Sequence, residues 1–359
     1  MKILADAHIP FLKGVAEQFG DVEYIPGNKF TAEAIKDKDV LIVRTVTKFG
    51  EHNLKGSNVK LICSATIGYD HIDTEYCDSN NIGWRTAPGC NASSVEQYVT
   101  ASLFCLAEKY NFKLKGKTIG IVGVGNTGSK VEAACRRLGM RVLLNDPPRE
   151  EREIYSDTEF TDLETIKKES DFITFHTPLT MNGKHKTFHL GDINLFRELK
   201  RKPFIINAAR GGVTDNIALK TALEEGLISG VVLDCWENEP DIDLELLEMV
   251  DIATPHIAGY SADGKWNAAR MSIENIRDYF NINIKPVYGE LPPPRQPVID
   301  FSTVNDLKRA DSIKVLDHAV CLTYNPLSDS GSLKASPGKF YSFRSNYPLR
   351  REYRAYSFK

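Results

Sequence analysis

Between Gly120 and Asp146 the chain sets strand, glycine loop, helix, strand and acid in a single order, and few folds accommodate that order. An apolar run, Thr118-Ile119-Gly120-Ile121-Val122, enters Gly123-Val124-Gly125-Asn126-Thr127-Gly128. A helical pattern follows through Leu138, and a second apolar run, Met140 to Asn145, ends on Asp146. Gly123 permits a tight turn, Gly125 lets the backbone approach a pyrophosphate, and Gly128 lets helix and strand pack closely. The pyrophosphate would rest on free N–H groups at the helix N-terminus, where the dipole favours negative charge. Asp146 lies 18 residues past Gly128, where a carboxylate meets ribose hydroxyls and repels a 2′-phosphate. NAD is therefore expected rather than NADP.

The 359 residues suffice for two or three domains. A hydrophobic content of 42% with 26% charged residues describes a soluble globular protein. A net charge of −3 without a run of like charge gives no reason to expect a nucleic-acid partner. The opening MKILADAHIP reads as a strand, not a leader, because Asp6 and His8 interrupt its apolar run at once. No stretch of 18 apolar residues is present, so no membrane span is expected. Cys63, Cys77, Cys90, Cys105, Cys135, Cys235 and Cys321 show no paired spacing. They read as reduced thiols of a cytoplasmic protein, and no metal site is expected.

Lys2–Ala5, Val40–Val43 and Val59–Cys63 have the composition of buried parallel strands. A turn-rich stretch at Thr86–Asn91 closes this part, and Ser93 or Ser94 is placed to cap a helix reaching about Tyr110. Strands are then predicted at Asp171–His176, Pro203–Asn207, Gly230–Asp234 and Asp251–Thr254, alternating with helices as in a doubly wound parallel sheet. Ser261 to Ile282 reads as a long helix returning to the first domain. Leu291–Pro297, with four prolines, is a stiff linker. The tail beyond it is rich in Tyr, Arg and Ser.

Three polar residues follow three of the apolar strands. Arg210 follows Phe204–Ala209, Glu239 follows Gly230–Trp236, and His256 follows Ile252–Pro255. In a parallel sheet, ligands bind beyond the carboxyl ends of the strands, so all three should converge with the glycine loop on one rim. A histidine can take and return a proton near neutral pH. A carboxylate beside it favours the imidazolium and fixes the ring. An arginine fork can hold a substrate carboxylate. Taken singly, each has a plain structural reading; the convergence is the argument for catalysis.

Asn207-Ala208-Ala209-Arg210-Gly211-Gly212, Leu233-Asp234-Cys235-Trp236-Glu237-Asn238-Glu239-Pro240 and Thr254-Pro255-His256-Ile257-Ala258-Gly259 resemble signatures of the NAD-dependent D-2-hydroxyacid dehydrogenases, over roughly residues 1–288. The resemblance implies an α/β fold of two Rossmann-like, doubly wound parallel-sheet domains with a cleft between them, plus a small C-terminal α+β dimerisation domain. It implies a substrate domain of residues 1–92 and 258–288, an NAD domain of 93–257 and a dimerisation domain of 289–359. By the same likeness Arg210 holds the substrate carboxylate, His256 exchanges the proton and Glu239 supports it. Glu237 is the rival acid, but the family's glutamate stands directly before the proline. Gly123, Gly125, Asn126, Thr127, Gly128, Asp146, Thr177, Ala208, Ala209, Arg210, Asp234 and Gly259 are implied around NAD.

Four further features resemble one branch of the family: Val43–Thr47, Ser64–His71, Tyr260, and the tail with Phe343-Arg344 and Arg350-Arg351-Glu352-Tyr353. That branch oxidises a small phosphorylated hydroxy acid, 4-phospho-D-erythronate, on the route to pyridoxal 5′-phosphate, as a homodimer. Likeness assigns Thr45, Thr66 and Tyr260 to substrate contact. Arg44 is the local candidate for the phosphate, with anchoring of its own loop to a carboxylate as the other reading. Arg350 or Arg351 reaching a phosphate across a dimer interface is a further expectation. Rivals are a 3-phosphoglycerate or general D-2-hydroxyacid dehydrogenase and, from another class, an NAD-sensing binding protein.

Overall fold

The computed structural model describes residues 1–153, 157–300 and 320–359, which divide into two compact units, Met1–Asn91 with Ser261–Pro293, and Ala92–Tyr260 with Pro294–Lys359. The first is built on five parallel strands: β1 (Lys2–Asp6), β2 (Asp21–Ile25), β3 (Val40–Val43), β4 (Leu61–Ser64) and β5 (Gly83–Arg85), in the order β2-β1-β3-β4-β5. The central strands β3 and β4 are buried along their whole length, as the unbroken apolar runs require for a sheet covered on both faces. β2 and β5 carry no such run; they are edge strands, which is why composition alone does not reveal them. One face is covered by Ile3, Ile42, Leu61 and the helix Ala262–Tyr279, which presents Ala268, Ala269, Ile273 and Ile276. The other is covered by Phe30, Ile35, Phe49 and Leu54.

The second unit repeats the plan. Its six parallel strands are β6 (Thr118–Val122), β7 (Arg141–Asn145), β8 (Phe172–Phe175), β9 (Phe204–Asn207), β10 (Gly230–Leu233) and β11 (Ile252–Ala253). Their order is β11-β10-β9-β8-β6-β7, so the strand order reverses between β6 and β8, the topological switch point at which such sheets bind ligands. Helix α1 (Ala92–Lys109) packs on one face with Tyr98, Phe104 and Leu106 buried. It begins before Ser93, so neither serine caps it. Ser94 lies buried inside the helix, donating through its Oγ to the Ala258 carbonyl at 2.9 Å.

The described part of the tail does not form a compact unit of its own; residues 301–319 of the expected third domain lie outside the described residues. Val320 and Tyr324 join one core layer of the second unit, and Leu333 and Phe340 the other. Helix α2 (Pro326–Ala335) lies against β11, where Ser330 Oγ accepts the Ala253 amide at 3.0 Å and Lys334 Nζ donates to the Val250 carbonyl at 2.7 Å. This edge strand, which would otherwise expose unpaired backbone groups, is thereby closed off. β12 (Val298–Ile299) and β13 (Ser357–Phe358) form a separate parallel pair.

Candidate active site

The glycine loop leaves β6 at the switch point. Gly123 takes φ +90°, which an L side chain adopts only with strain, and an added Cβ would also strike the His176–Thr177 peptide at 2.8 Å. A Cβ on Gly128 would stand 2.0 Å from the Gly123 carbonyl oxygen, so loop and helix must touch backbone to backbone. A Cβ on Gly125 meets nothing within 4 Å among the described residues, the open approach that a pyrophosphate needs. Asn126, Thr127 and Gly128 head a twelve-residue helix, Asn126–Arg137, where no preceding turn can accept their amides. The Thr177 hydroxyl, just past β8, is buried without a hydrogen-bond partner among the described residues. Asp146 caps the helix after β7, accepting the Val124 amide at 2.8 Å and the Arg149 amide at 3.0 Å. Arg149 is committed to Glu153 at 2.9 Å and to the Val124 carbonyl at 2.7 Å. An open glycine, helix-head amides, an orphaned hydroxyl and an acid fit NAD.

Beyond β9, β10 and β11 stand the three polar residues. Arg210 follows β9 and opens a short helical turn, Gly211–Val213. A Cβ on Gly211 would fall 1.9 Å from the Trp236 carbonyl oxygen, so the loops after β9 and β10 lie in direct backbone contact. The Trp236 amide donates to Glu239 Oε1 at 2.9 Å, and its indole N–H to the Thr254 carbonyl at 3.0 Å, fixing the second loop to the third. His256 takes φ +57°, an uncommon conformation for a residue with a side chain and one that recurs at functional sites. The buried Asp234 carboxylate holds that conformation: Oδ1 accepts the Ile257 amide at 2.7 Å and the Thr254 hydroxyl at 2.7 Å, and Oδ2 the Ala258 amide at 3.0 Å. Burial pushes Asp234 up from the ordinary carboxylate range, although His256 and these donors pull the other way.

His256 Nδ1 lies 2.8 Å from Glu239 Oε2 and 3.0 Å from Oε1. Burial pushes the Glu239 carboxyl up, but hydrogen bonding and charge from His256, the Trp236 amide and Arg344 outweigh it, and the net direction is down. Glu239 is thus held as the carboxylate. Glu237, two residues earlier, turns elsewhere: it meets His189 Nε2 at 2.7 Å and accepts the Asn216 amide at 3.0 Å. Cys235 lies within 4.8 Å of Glu239 and His256, yet burial holds its thiol far above its ordinary range. It fills space as an inert thiol. His176, at the end of β8, is lowered to about 4 by burial, with Nε2 on the Thr174 hydroxyl at 3.0 Å.

The family described as "D-isomer specific 2-hydroxyacid dehydrogenase, NAD binding domain" matches residues 91–258, the stretch that carries the glycine loop, Arg210, Glu239 and His256. The erythronate-4-phosphate dehydrogenase of Bacteroides thetaiotaomicron is 49% identical over 359 residues, 99% of each chain. That of Porphyromonas gingivalis is 44% identical, covering 99% of this chain and 95% of its own. The chain belongs to the erythronate-4-phosphate dehydrogenases. Among solved structures, NAD-bound 3-phosphoglycerate dehydrogenase of Entamoeba histolytica superposes with a TM-score of 0.66 at 26% identity, covering 79% of this chain and 96% of its own. The chain is an NAD-dependent dehydrogenase acting on a CH–OH group, on the two-sheet α/β architecture of the wider family.

The remaining expected residues belong to the first unit, apart from Tyr260. Thr45 is exposed just past β3, and Thr66, past β4, pairs its hydroxyl with Ser64 Oγ at 2.6 Å and the Gly68 carbonyl at 3.1 Å. Arg44 stands where this sheet's order reverses, between β1 and β3. Its Nε and Nη2 bond the Asp6 carboxylate at 2.8 and 3.2 Å, so the anchoring reading has a partner in the structure. Arg350 departs from expectation. Its guanidinium is committed within the second unit, bonded to the carbonyls of Ser94, Ile257, Ala258 and Tyr260 and to Gln97. The sequence marks Arg344 only through the tail's resemblance and gives it no site role, yet its Nη1 lies 3.2 Å from Glu239 Oε2. A lone arginine in an Arg- and Tyr-rich tail carries no local signal of such a contact.

Proposed function

We propose that the chain oxidises the 2-hydroxyl of 4-phospho-D-erythronate to 3-hydroxy-2-oxo-4-phosphooxybutanoate, on the route to pyridoxal 5′-phosphate. The observation that carries the chemistry is the Glu239–His256 pair at 2.8 Å, on the rim where the glycine loop also ends. Full-length likeness, tail included, to relatives named for erythronate 4-phosphate supports the substrate. When bound, NAD supplies the acceptor for the C2 hydride. His256 takes the hydroxyl proton on Nε2, with Nδ1 tied to Glu239, which favours the imidazolium as it forms. Arg210 holds the substrate carboxylate, and Thr45, Thr66 and Tyr260 contact the remainder of the substrate. Arg44 receives the phosphate through Nη1 while Asp6 fixes its other two nitrogens. Asn126, Thr127, Gly128, Asp146, Thr177, Ala208, Ala209, Asp234 and Gly259 surround NAD.

The reading includes a cytoplasmic homodimer. Seven free thiols support the compartment, and the exposed Tyr341, Leu322 and Leu327 on the tail support a surface for association. No helix of the described residues is long and apolar enough to cross a membrane. The test is NADH formation with 4-phospho-D-erythronate against 3-phosphoglycerate, D-lactate and unphosphorylated erythronate, with a trap for the ketone. Turnover on the phosphorylated four-carbon acid alone is expected. Preference for another acid would retain the dehydrogenase and discard the substrate.

A further inference from the structure

The tail reaches the catalytic pair twice within the second unit. Arg350 grips the backbone of the His256 loop through the carbonyls of Ile257, Ala258 and Tyr260, at 3.1, 2.6 and 3.0 Å. Six residues earlier, Arg344 projects from the short helix Phe340–Ser345, its side chain only 31% exposed, and donates to the same Glu239 oxygen that meets His256 Nδ1. Arg344 also hydrogen-bonds Tyr260. One half-buried carboxylate is therefore shared by an imidazole and a guanidinium. We propose that Arg344 is a positioning residue for the reaction, which holds the Glu239 carboxylate against His256 and governs how readily that histidine takes and releases its proton.

A carboxylate belonging to His256 alone would stabilise the imidazolium fully. A permanent cation on the same oxygen repels a second positive charge and so offsets part of that stabilisation. Among the described residues, the other charged or titratable groups around the pair are Asp234, whose charge acts on His256, Cys235, within 4.8 Å of both, Arg210, which acts on Cys235, and Tyr260, which meets Arg344. Of the two arginines, Arg344 is the one hydrogen-bonded to Glu239.

The test reads the histidine directly in the full chain without cofactor or substrate, so its outcome stands apart from the substrate assignment, although the inference rests on His256 as the base. Imidazole resonances of isotope-labelled histidine are followed against pH, with His256 assigned by its loss in His256→Asn. In Arg344→Gln, which keeps a hydrogen bond and removes the charge, the His256 midpoint is expected to rise by about one pH unit. The acid limb of kcat for alcohol oxidation should move the same way, because the base must start neutral. Arg344→Lys, which keeps the charge, should return both towards the unsubstituted chain. Arg344→Met repeats the test if the glutamine variant does not fold. An unmoved His256 midpoint in the folded Gln or Met variant overturns the proposal, and so does a raised KM for the phosphorylated acid with both pH readouts unchanged.

Discussion

Both sheets run through the same strand order, with their reversal points between β1 and β3 in the first unit and between β6 and β8 in the second, yet opposite things stand there. In the first, Asp6, 1% exposed at the end of β1, is closed by the Arg44 fork arriving from β3. In the second, the position after β6 is a glycine loop with open space above Gly125 and an orphaned Thr177 hydroxyl beside it. Topology supplies a crevice in each case, and the residues at the strand ends decide its use. One crevice satisfies its own charge; the other keeps donors for a ligand.

The largest effect should come from the rim of the second unit. His256→Asn is expected to lower kcat by about 10³-fold, in the middle of the range for losing a general base, with NAD affinity and melting temperature little changed. Glu239→Gln, which leaves a histidine in place without its carboxylate, should lower kcat by about 10²-fold. Steady-state kinetics beside fluorescence titration of NAD separates the two quantities. A large loss of stability in His256→Asn would erase the contrast, because the loop would then be a folding element first.

Gly125→Val comes next. The backbone there has φ −75°, open to any side chain, and a Cβ meets no protein atom, so the fold should tolerate the change. A bound pyrophosphate would not. NAD affinity should fall on the order of 100-fold, ~2.8 kcal/mol, by calorimetric titration, at unchanged melting temperature. An unchanged Kd would mean that the cofactor does not lie over this glycine. Arg44→Ala inverts the pattern. It leaves a buried carboxylate without its cation and should destabilise the protein by ~2 kcal/mol in urea, with a raised KM for the phosphorylated acid and unchanged NAD affinity. A raised KM with no loss of stability would make Arg44 a substrate group only.

How much could be read from the chain follows from the same physics. Buried parallel strands are short apolar runs and glycine loops are local, so β3, β4, β6 and β8 to β10, with the loop after β6, stand out in the sequence. The edge strands Asp21–Ile25 and Gly83–Arg85 carry no such run, because only pairing to a neighbour makes them strands. The helix at Ala92 starts ahead of the serines that looked like caps, because Ser94 is needed inside for the Ala258 carbonyl, 164 residues away. Arg344 and Arg350 were unreadable for the same reason. Their partners, Glu239 and the 257–260 carbonyls, are distant in sequence, and neither arginine differs locally from its solvated neighbours.

The smallest effect tests the finest distinction in the site. Glu237 and Glu239 are two residues apart in one loop, and composition cannot tell them apart. The structure turns Glu239 to His256 and Glu237 to His189 and to the amide that begins the helix Asn216–Glu224. There Glu237 adds a negative charge to a helix N-terminus already capped by Asp215, and its loss should matter only locally. Glu237→Gln keeps one acceptor for the Asn216 amide, so stability should fall by ~0.5 kcal/mol and kcat should stay within about twofold. Chemical denaturation and steady-state kinetics on the same preparation decide it. A fall in kcat comparable to that of Glu239→Gln would place both acids in the proton path and join the His189 cluster to the catalytic rim. If the effect stays local, proton transfer in this loop rests on Glu239 alone, held between His256 and the tail's arginine.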